Sequence, residues 1–232
     1  LIDNFYFIKT FFLTFLHVSN KWKYIYGNCC ENKCVKPNNP NGICINGNGF
    51  IQIKNNTDIK YINCIGKGYN NVVRIVAEHQ FKKPNNSLLS SNYLLFYYEI
   101  KLLQQFKQND WFRIGLENDN NCFIYFDLNK RFIYYRDNNL IMDKYLNIPS
   151  SFNYKTNDII GCGLVYPPLN ILNKLPYIFF TLNGKQIVII NEPCFLIKTK
   201  KKFFFNRLHF DIKSYKISTT QHTNYTLTSY SL

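Results

Sequence analysis

Along this chain short apolar runs alternate with polar clusters, and within the runs hydrophobic side chains recur at every second position. In FYYEIKLL, Phe96, Tyr98, Ile100 and Leu102 share one face, with Tyr97, Glu99, Lys101 and Leu103 opposite. In WFRIGL, Phe112, Ile114 and Leu116 oppose Trp111, Arg113 and Gly115, and Val73, Ile75 and Ala77 oppose Val72, Arg74 and Val76. A period of two with one apolar face predicts half-buried antiparallel strands. FIYF from Phe123 and RFIYY from Arg131 flank a polar DLNK turn, which predicts a hairpin. A second hairpin is expected where IFFTL and KQIVII meet at Asn183 and Gly184, because a two-residue turn of matching twist needs positive φ at both central positions.

From residue 49 onward this spacing predicts an all-β fold, an antiparallel two-sheet β-sandwich, over 49–215. Residues 27–48, GNCCENKCVKPNNPNGICINGN, have no apolar period and read as a loop or linker. Residues 1–26 form an apolar lead. Its run FYFIKTFFLTFLHV, broken by Lys9, is shorter than the roughly 18 residues that span a bilayer. A packed strand or helix, a signal-peptide core and the remnant of an upstream membrane anchor all fit it. The Ser/Thr/Tyr-rich residues 216–232 are expected to form a flexible tail.

Composition agrees with strands: 21 Phe and 18 Tyr stand beside many Ile in 232 residues, and alanine is nearly absent. The length fits one domain with extensions. The eight scattered Cys need not form a disulfide scaffold in a chain with this much core material, so a reducing, cytoplasmic setting is expected. The net charge of +14 favours acidic partners, phosphate backbones or anionic membranes, and an AT-rich coding bias toward Lys and Asn accounts for it equally well.

Four motifs carry a family resemblance. YYEIKLL at 97–103, WFRIGL at 111–116, NDIIGCGL at 157–164 and IFFTLNGK at 178–185 resemble, in this order, the strand motifs of the SPRY family. The resemblance covers 70–190. It implies a SPRY or concanavalin-like jelly-roll sandwich whose loops at one end bind protein. It further implies a non-catalytic scaffold or adaptor, with Ran-binding-protein-like scaffolds and adaptors of a ubiquitin ligase complex among the variants with similar glycine-cysteine segments. Three departures stand out. ENDNNCFIYFDLNK replaces the family's proline-glycine and glycine-tyrosine pieces, Asn157 stands where glycine is usual, and no leucine-tyrosine-proline strand follows Lys185. Residues 194–214 are then the candidates for the closing strands.

Within the motifs, Glu99, Gly115, Asp158, Gly161, Gly163, Asn183 and Gly184 are expected to be framework. Gly161 and Gly163 would sit where a side chain obstructs the opposite sheet or a close backbone approach, and Asp158 would cap the preceding turn. The partner surface is expected on loops beside the motif strands: Arg74, Glu78, His79 and Lys83, then Asn118, Asp119 and Asn121, and Tyr135 and Arg136 in the first hairpin. Exposed Tyr and Arg combine contact area with hydrogen bonding. Arg74 fits a structural ion pair as well.

Rival chemistries find less support. His17, His79, His209 and His222 lie in no catalytic signature, and neither a phosphate loop nor a paired-carboxylate motif is present, so no enzyme is expected. Cys29, Cys30, Cys34 and Cys44 cluster, but adjacent cysteines and the missing second knuckle speak against zinc, and no metal or cofactor is expected. Lys198, Lys200, Lys201, Lys202 and Arg207 beside Phe203, Phe204 and Phe205 suit RNA or an anionic membrane, or form a solvated run beside a strand. The expected partner is a protein or peptide, with RNA or acidic lipid the alternative and a small molecule disfavoured.

Overall fold

The computed structural model describes residues 11–15, 22–35, 42–55, 58–77, 93–103, 111–117, 123–136, 144–148, 152–170, 175–190, 207–213 and 216–229. Its strands are β1 (Phe11–Phe15), β2 (Trp22–Tyr26), β3 (Phe50–Ile53), β4 (Asp58–Ile62), β5 (Val73–Ala77), β6 (Tyr93–Leu102), β7 (Trp111–Glu117) and β8 (Phe123–Asp127). They continue with β9 (Phe132–Arg136), β10 (Lys144–Asn147), β11 (Ile159–Tyr166), β12 (Tyr177–Leu182), β13 (Lys185–Ile190), β14 (Arg207–Lys213) and β15 (Lys216–Ser229). One sheet runs β13-β12-β11-β6-β15-β4-β3 with β1 also on β15, and the other runs β10-β9-β8-β7-β14-β5-β2. Every pairing is antiparallel.

Alternation along the strands decides which faces meet. Phe96, Tyr98, Ile100 and Leu102 of β6 are buried, as are Ile160, Cys162 and Leu164 of β11, and all face Phe112, Ile114 and Leu116 of β7 in one core cluster. Each fully buried Phe, Ile or Leu contributes about 1.5–3 kcal/mol relative to exposure. Across the interface Phe126 of β8 meets Phe180 of β12 edge to face at 5.7 Å. Tyr98 donates its hydroxyl to the Gly115 carbonyl at 2.8 Å, so the polar end of a fully buried tyrosine joins the two sheets.

The turns obey the same local rules. Asn183 (φ 51°) and Gly184 (φ 73°) make the two-residue connection of β12 and β13 with both centres in the left-handed region. Asn157 also lies there, at φ 72°, which explains how asparagine stands where the resembled family has glycine.

The C-terminal expectation is corrected. Residues 216–229 form the 14-residue strand β15, paired with β6, β4 and β1, in place of a tail. Its Ile217, Thr219, Thr220, Thr223, Tyr225 and Thr226 are β-branched or aromatic, which suits a pleated surface although their polarity suggests a tail. β14 pairs on one side with β7 and on the other with β5, so a closing strand does come from within 194–214. The lead segment reaches both sheets, β1 on β15 and β2 on β5. Among the described residues no helix is long and apolar enough to cross a membrane.

Candidate functional site

The motif residues serve the sandwich. Gly161 is opposite Glu99 of β6 and Thr181 of β12, and Gly163 is opposite Tyr97 and Phe179. A Cβ at Gly161 would overlap the Tyr97 and Thr181 hydroxyls, and one at Gly163 would overlap the Phe179 ring. The expectation about the opposite sheet is thus corrected, because the obstruction lies on the glycines' own sheet. There Tyr97 stacks on Phe179 at 5.8 Å, its hydroxyl donates to Glu99 Oε1 at 2.8 Å, and it lies 2.7 Å from Thr181 Oγ1. Burial raises the Tyr97 phenol well above its ordinary range, so it remains a neutral donor. Gly163→Val is expected to displace the Phe179 ring and cost about 1–3 kcal/mol in denaturant unfolding, and an unchanged unfolding midpoint would contradict this packing.

Asp158 ties two turns together. Lys155 N donates to its Oδ2 at 2.6 Å and Asn183 Nδ2 to its Oδ1 at 2.9 Å, while Asn183 Oδ1 accepts from Ile159 N at 2.9 Å. On the second sheet Arg113 Nε donates to Asp127 Oδ2 at 2.9 Å and its guanidinium lies 4.5 Å from the Tyr125 ring centre. Asp127, fully buried, also accepts from Lys130 N at 3.0 Å. These carboxylates are occupied in holding the chain.

The expected partner residues do not form one cluster. Arg74 on β5 lies 3.3 Å from Glu117 Oε2, the ion-pair alternative. Tyr135 is corrected: it is 5% exposed, because the alternation of β9 sends it into the core with Ile133. Arg136 is exposed, with its guanidinium 5.4 Å from the Phe123 ring centre and 3.0 Å from the Tyr134 hydroxyl. Four strand spacings separate β5 from β9, which puts the strands of Arg74 and Arg136 about 19 Å apart, and Arg136 is offset further along β9 from Phe132, the position level with Arg74. Glu78, His79, Lys83, Asn118, Asp119 and Asn121 lie outside the described residues, as do Lys198 to Lys202 of the basic run.

One feature on the loops around β3 and β4 escaped the sequence reading. Ile43, Ile45 and Ile65 are 71%, 80% and 57% exposed. They line a shallow groove of about 520 Å³ together with Asn46, Gly47, Gly66 and Lys67. Ile65 N donates to Gly47 O at 2.8 Å, clasping the two loops. The available signal was a pair of isoleucines inside GICINGN, apolar residues in a turn-rich stretch without the length of a strand.

Beside this groove the sulfurs of Cys29, Cys30, Cys34 and Cys44 all lie within 4.8 Å of one another, three of the residues buried and Cys34 half-buried. The sequence argument against them relied on chain spacing, whereas the turn from Cys30 to Lys33, closed by Lys33 N to Cys30 O at 3.0 Å with Lys33 at φ 49°, folds the segment back on itself. The Cys34 side chain lowers the Cys30 thiol to about 6, while burial raises Cys29 to about 12.

The chain matches no protein-family model and no curated protein. Among solved structures it is similar to a human SPRY domain, at 16% identity and TM-score 0.45, covering 73% of this chain and 94% of that one. It is also similar to the SPRY domain of human HERC1, at 9% identity and TM-score 0.43, with 74% and 92% covered. The endo-1,3-beta-glucanase from Streptomyces sioyaensis is similar at 7% identity and TM-score 0.51, covering 90% of this chain and 97% of that one. The last likeness shows a shared antiparallel two-sheet sandwich. That sandwich holds an enzyme in the glucanase, so activity has to be argued from side chains.

Proposed function

We propose that this chain is a non-catalytic protein-interaction module, a scaffold or adaptor part of a larger complex, which takes an acidic, aliphatic segment of a partner protein on the surface around Ile43, Ile45 and Ile65. The carrying observation is the exposure of these three isoleucines on two clasped loops. Apolar side chains held open to water on a braced surface mark contact sites, since burial against a partner recovers their hydrophobic free energy. Lys67 in the groove and the net charge of +14 favour a segment that carries carboxylates.

The non-catalytic part of the reading is supported by the buried Asp127 and Asp158, which are committed to Arg113, Lys130, Lys155 and Asn183. Arg136, held over the Phe123 ring, is proposed as a second contact on the same partner. The cytoplasm is the proposed compartment.

A displayed peptide library is the test. Selection on the full chain is expected to enrich acidic, aliphatic sequences. Ile45→Ser with Ile65→Ser should weaken their binding by about 1–3 kcal/mol without moving the thermal midpoint, and Arg136→Ala should weaken binding of the intact partner by a similar amount. Binding should change little between low and moderate salt. No enrichment, or peptide binding indifferent to both isoleucine changes, would refute the surface. Tight binding to RNA or to phosphatidylserine vesicles that falls steeply with salt would instead make the basic surface the functional one.

A further inference from the structure

The four clustered cysteines sit in a segment with little else to hold it. The described parts of residues 27–49 contain no strand, and the apolar cluster around them adds only Val35, Phe50 and a packed Ile62 to the cysteines themselves. A connection of this length inside a compact domain needs a cross-link or a function to keep it ordered. Yet Asn48 Nδ2 donates to Cys29 O at 2.7 Å and Gly47 N donates to Cys44 O at 2.8 Å, so the backbone is fixed around the sulfurs.

The sulfur geometry indicates what fixes it. A zinc–sulfur bond of about 2.3 Å places the corners of a tetrahedron about 3.8 Å apart. The separations are 3.8 Å for Cys29–Cys30, 3.9 Å for Cys29–Cys34 and 3.9 Å for Cys34–Cys44. Cys30–Cys34, at 3.0 Å, must open for a regular site, and the remaining two separations, Cys29–Cys44 and Cys30–Cys44, lie within 4.8 Å. Two disulfides would require close pairs and leave the distances between pairs unconstrained. Here one sulfur, Cys34, is near all three others, as at a shared centre.

We propose that Cys29, Cys30, Cys34 and Cys44 form a structural tetrathiolate site for one Zn²⁺. Each ligating thiol releases its proton to solvent, so four thiolates around one dication leave a site of charge −2 with no open coordination position. A closed set of soft ligands selects zinc by chemistry and leaves no room for a substrate at the metal. Its role is to brace the loop that presents Ile43 and Ile45 on either side of Cys44. The inference stands apart from the interaction reading, because metal content is measured without any partner.

The experiment uses the full chain purified with a reductant and no chelator. Elemental analysis is expected to find about one zinc per chain. Cys29, Cys30, Cys34 and Cys44 should react slowly with a thiol reagent until a chelator is added, whereas the fully buried Cys162 should stay slow either way. Cobalt substitution should give the ligand-field and charge-transfer bands of tetrahedral Co(II) thiolate, a readout that needs no variant. Cys34→Ser and Cys44→Ser should each weaken zinc by about 100-fold or more, while Cys64→Ser, outside the cluster, should keep it. Metal-free protein whose thiol reactivity does not change on adding a chelator, a mass matching two disulfides, iron in the purified chain, or full zinc retention by Cys44→Ser would each overturn the proposal.

Discussion

Arg113→Met is expected to destabilise the fold by about 3–5 kcal/mol, because it leaves the Asp127 carboxylate buried without its counter-ion. Asp127 is 0% exposed, and its Oδ2 accepts from Arg113 Nε at 2.9 Å. The backbone bond from Lys130 N at 3.0 Å cannot replace a full charge. Methionine keeps an aliphatic stem while removing the guanidinium held over the Tyr125 ring, so the loss is chiefly electrostatic. Adding Asp127→Leu should return most of the lost stability, since the pair's desolvation disappears together with its attraction. Urea unfolding of both single variants and the double variant measures this cycle. A change below about 1 kcal/mol for Arg113→Met would show that Asp127 is satisfied by other groups.

Gly115→Ala is expected to cost about 3 kcal/mol or more, at the upper end of overpacking. The added Cβ would overlap the Ile124 carbonyl oxygen and the Tyr125 Cα, backbone atoms of the adjacent strand β8. Gly115 is held from three directions: by Tyr125 in β8, by His209 in β14, and by the Tyr98 hydroxyl on its carbonyl. Gly163 differs because the obstructing atoms belong to a half-buried ring that has somewhere to move. Thermal unfolding of the two variants should therefore rank Gly115→Ala as the more damaging despite its smaller side chain. The opposite order would mean that β7 and β8 separate more readily than the Phe179 ring turns.

The contrast between these glycines also shows what a sequence discloses. Period-two alternation in β6, β7 and β5 located the buried faces, and Asn183-Gly184 identified its own turn, because each depends on residues adjacent along the chain. Tyr135 was readable by the same rule, since it shares its phase with Ile133, and assigning it to a loop overlooked that phase. The glycines' neighbours were not readable: Thr181, Phe179 and Tyr97 come from strands far away in sequence, and only register brings them together. The four cysteines stood out as a cluster in the sequence, but the closeness of their sulfurs did not, for a related reason. Spacing along a chain measures contour length, whereas a single left-handed residue at Lys33 reverses direction and gathers cysteines that contour length keeps apart. The strand at 216–229 was hidden by composition, its threonines being polar in hydropathy and strand-forming in shape.

The placement of β14 and β15 has a consequence for biosynthesis. Each lies inside its sheet, β14 between β7 and β5 and β15 between β6 and β4, although both are translated after every other described strand. While the ribosome is still making residues 207–229, the strands already outside can form their hairpins but have no permanent neighbour along β7, β5, β6 and β4. Those four open edges invite pairing with another nascent chain. Docking of these two last strands, one into each sheet, is then the long-range step that commits the molecule, and the interval before it is when chaperones would have the most to hold.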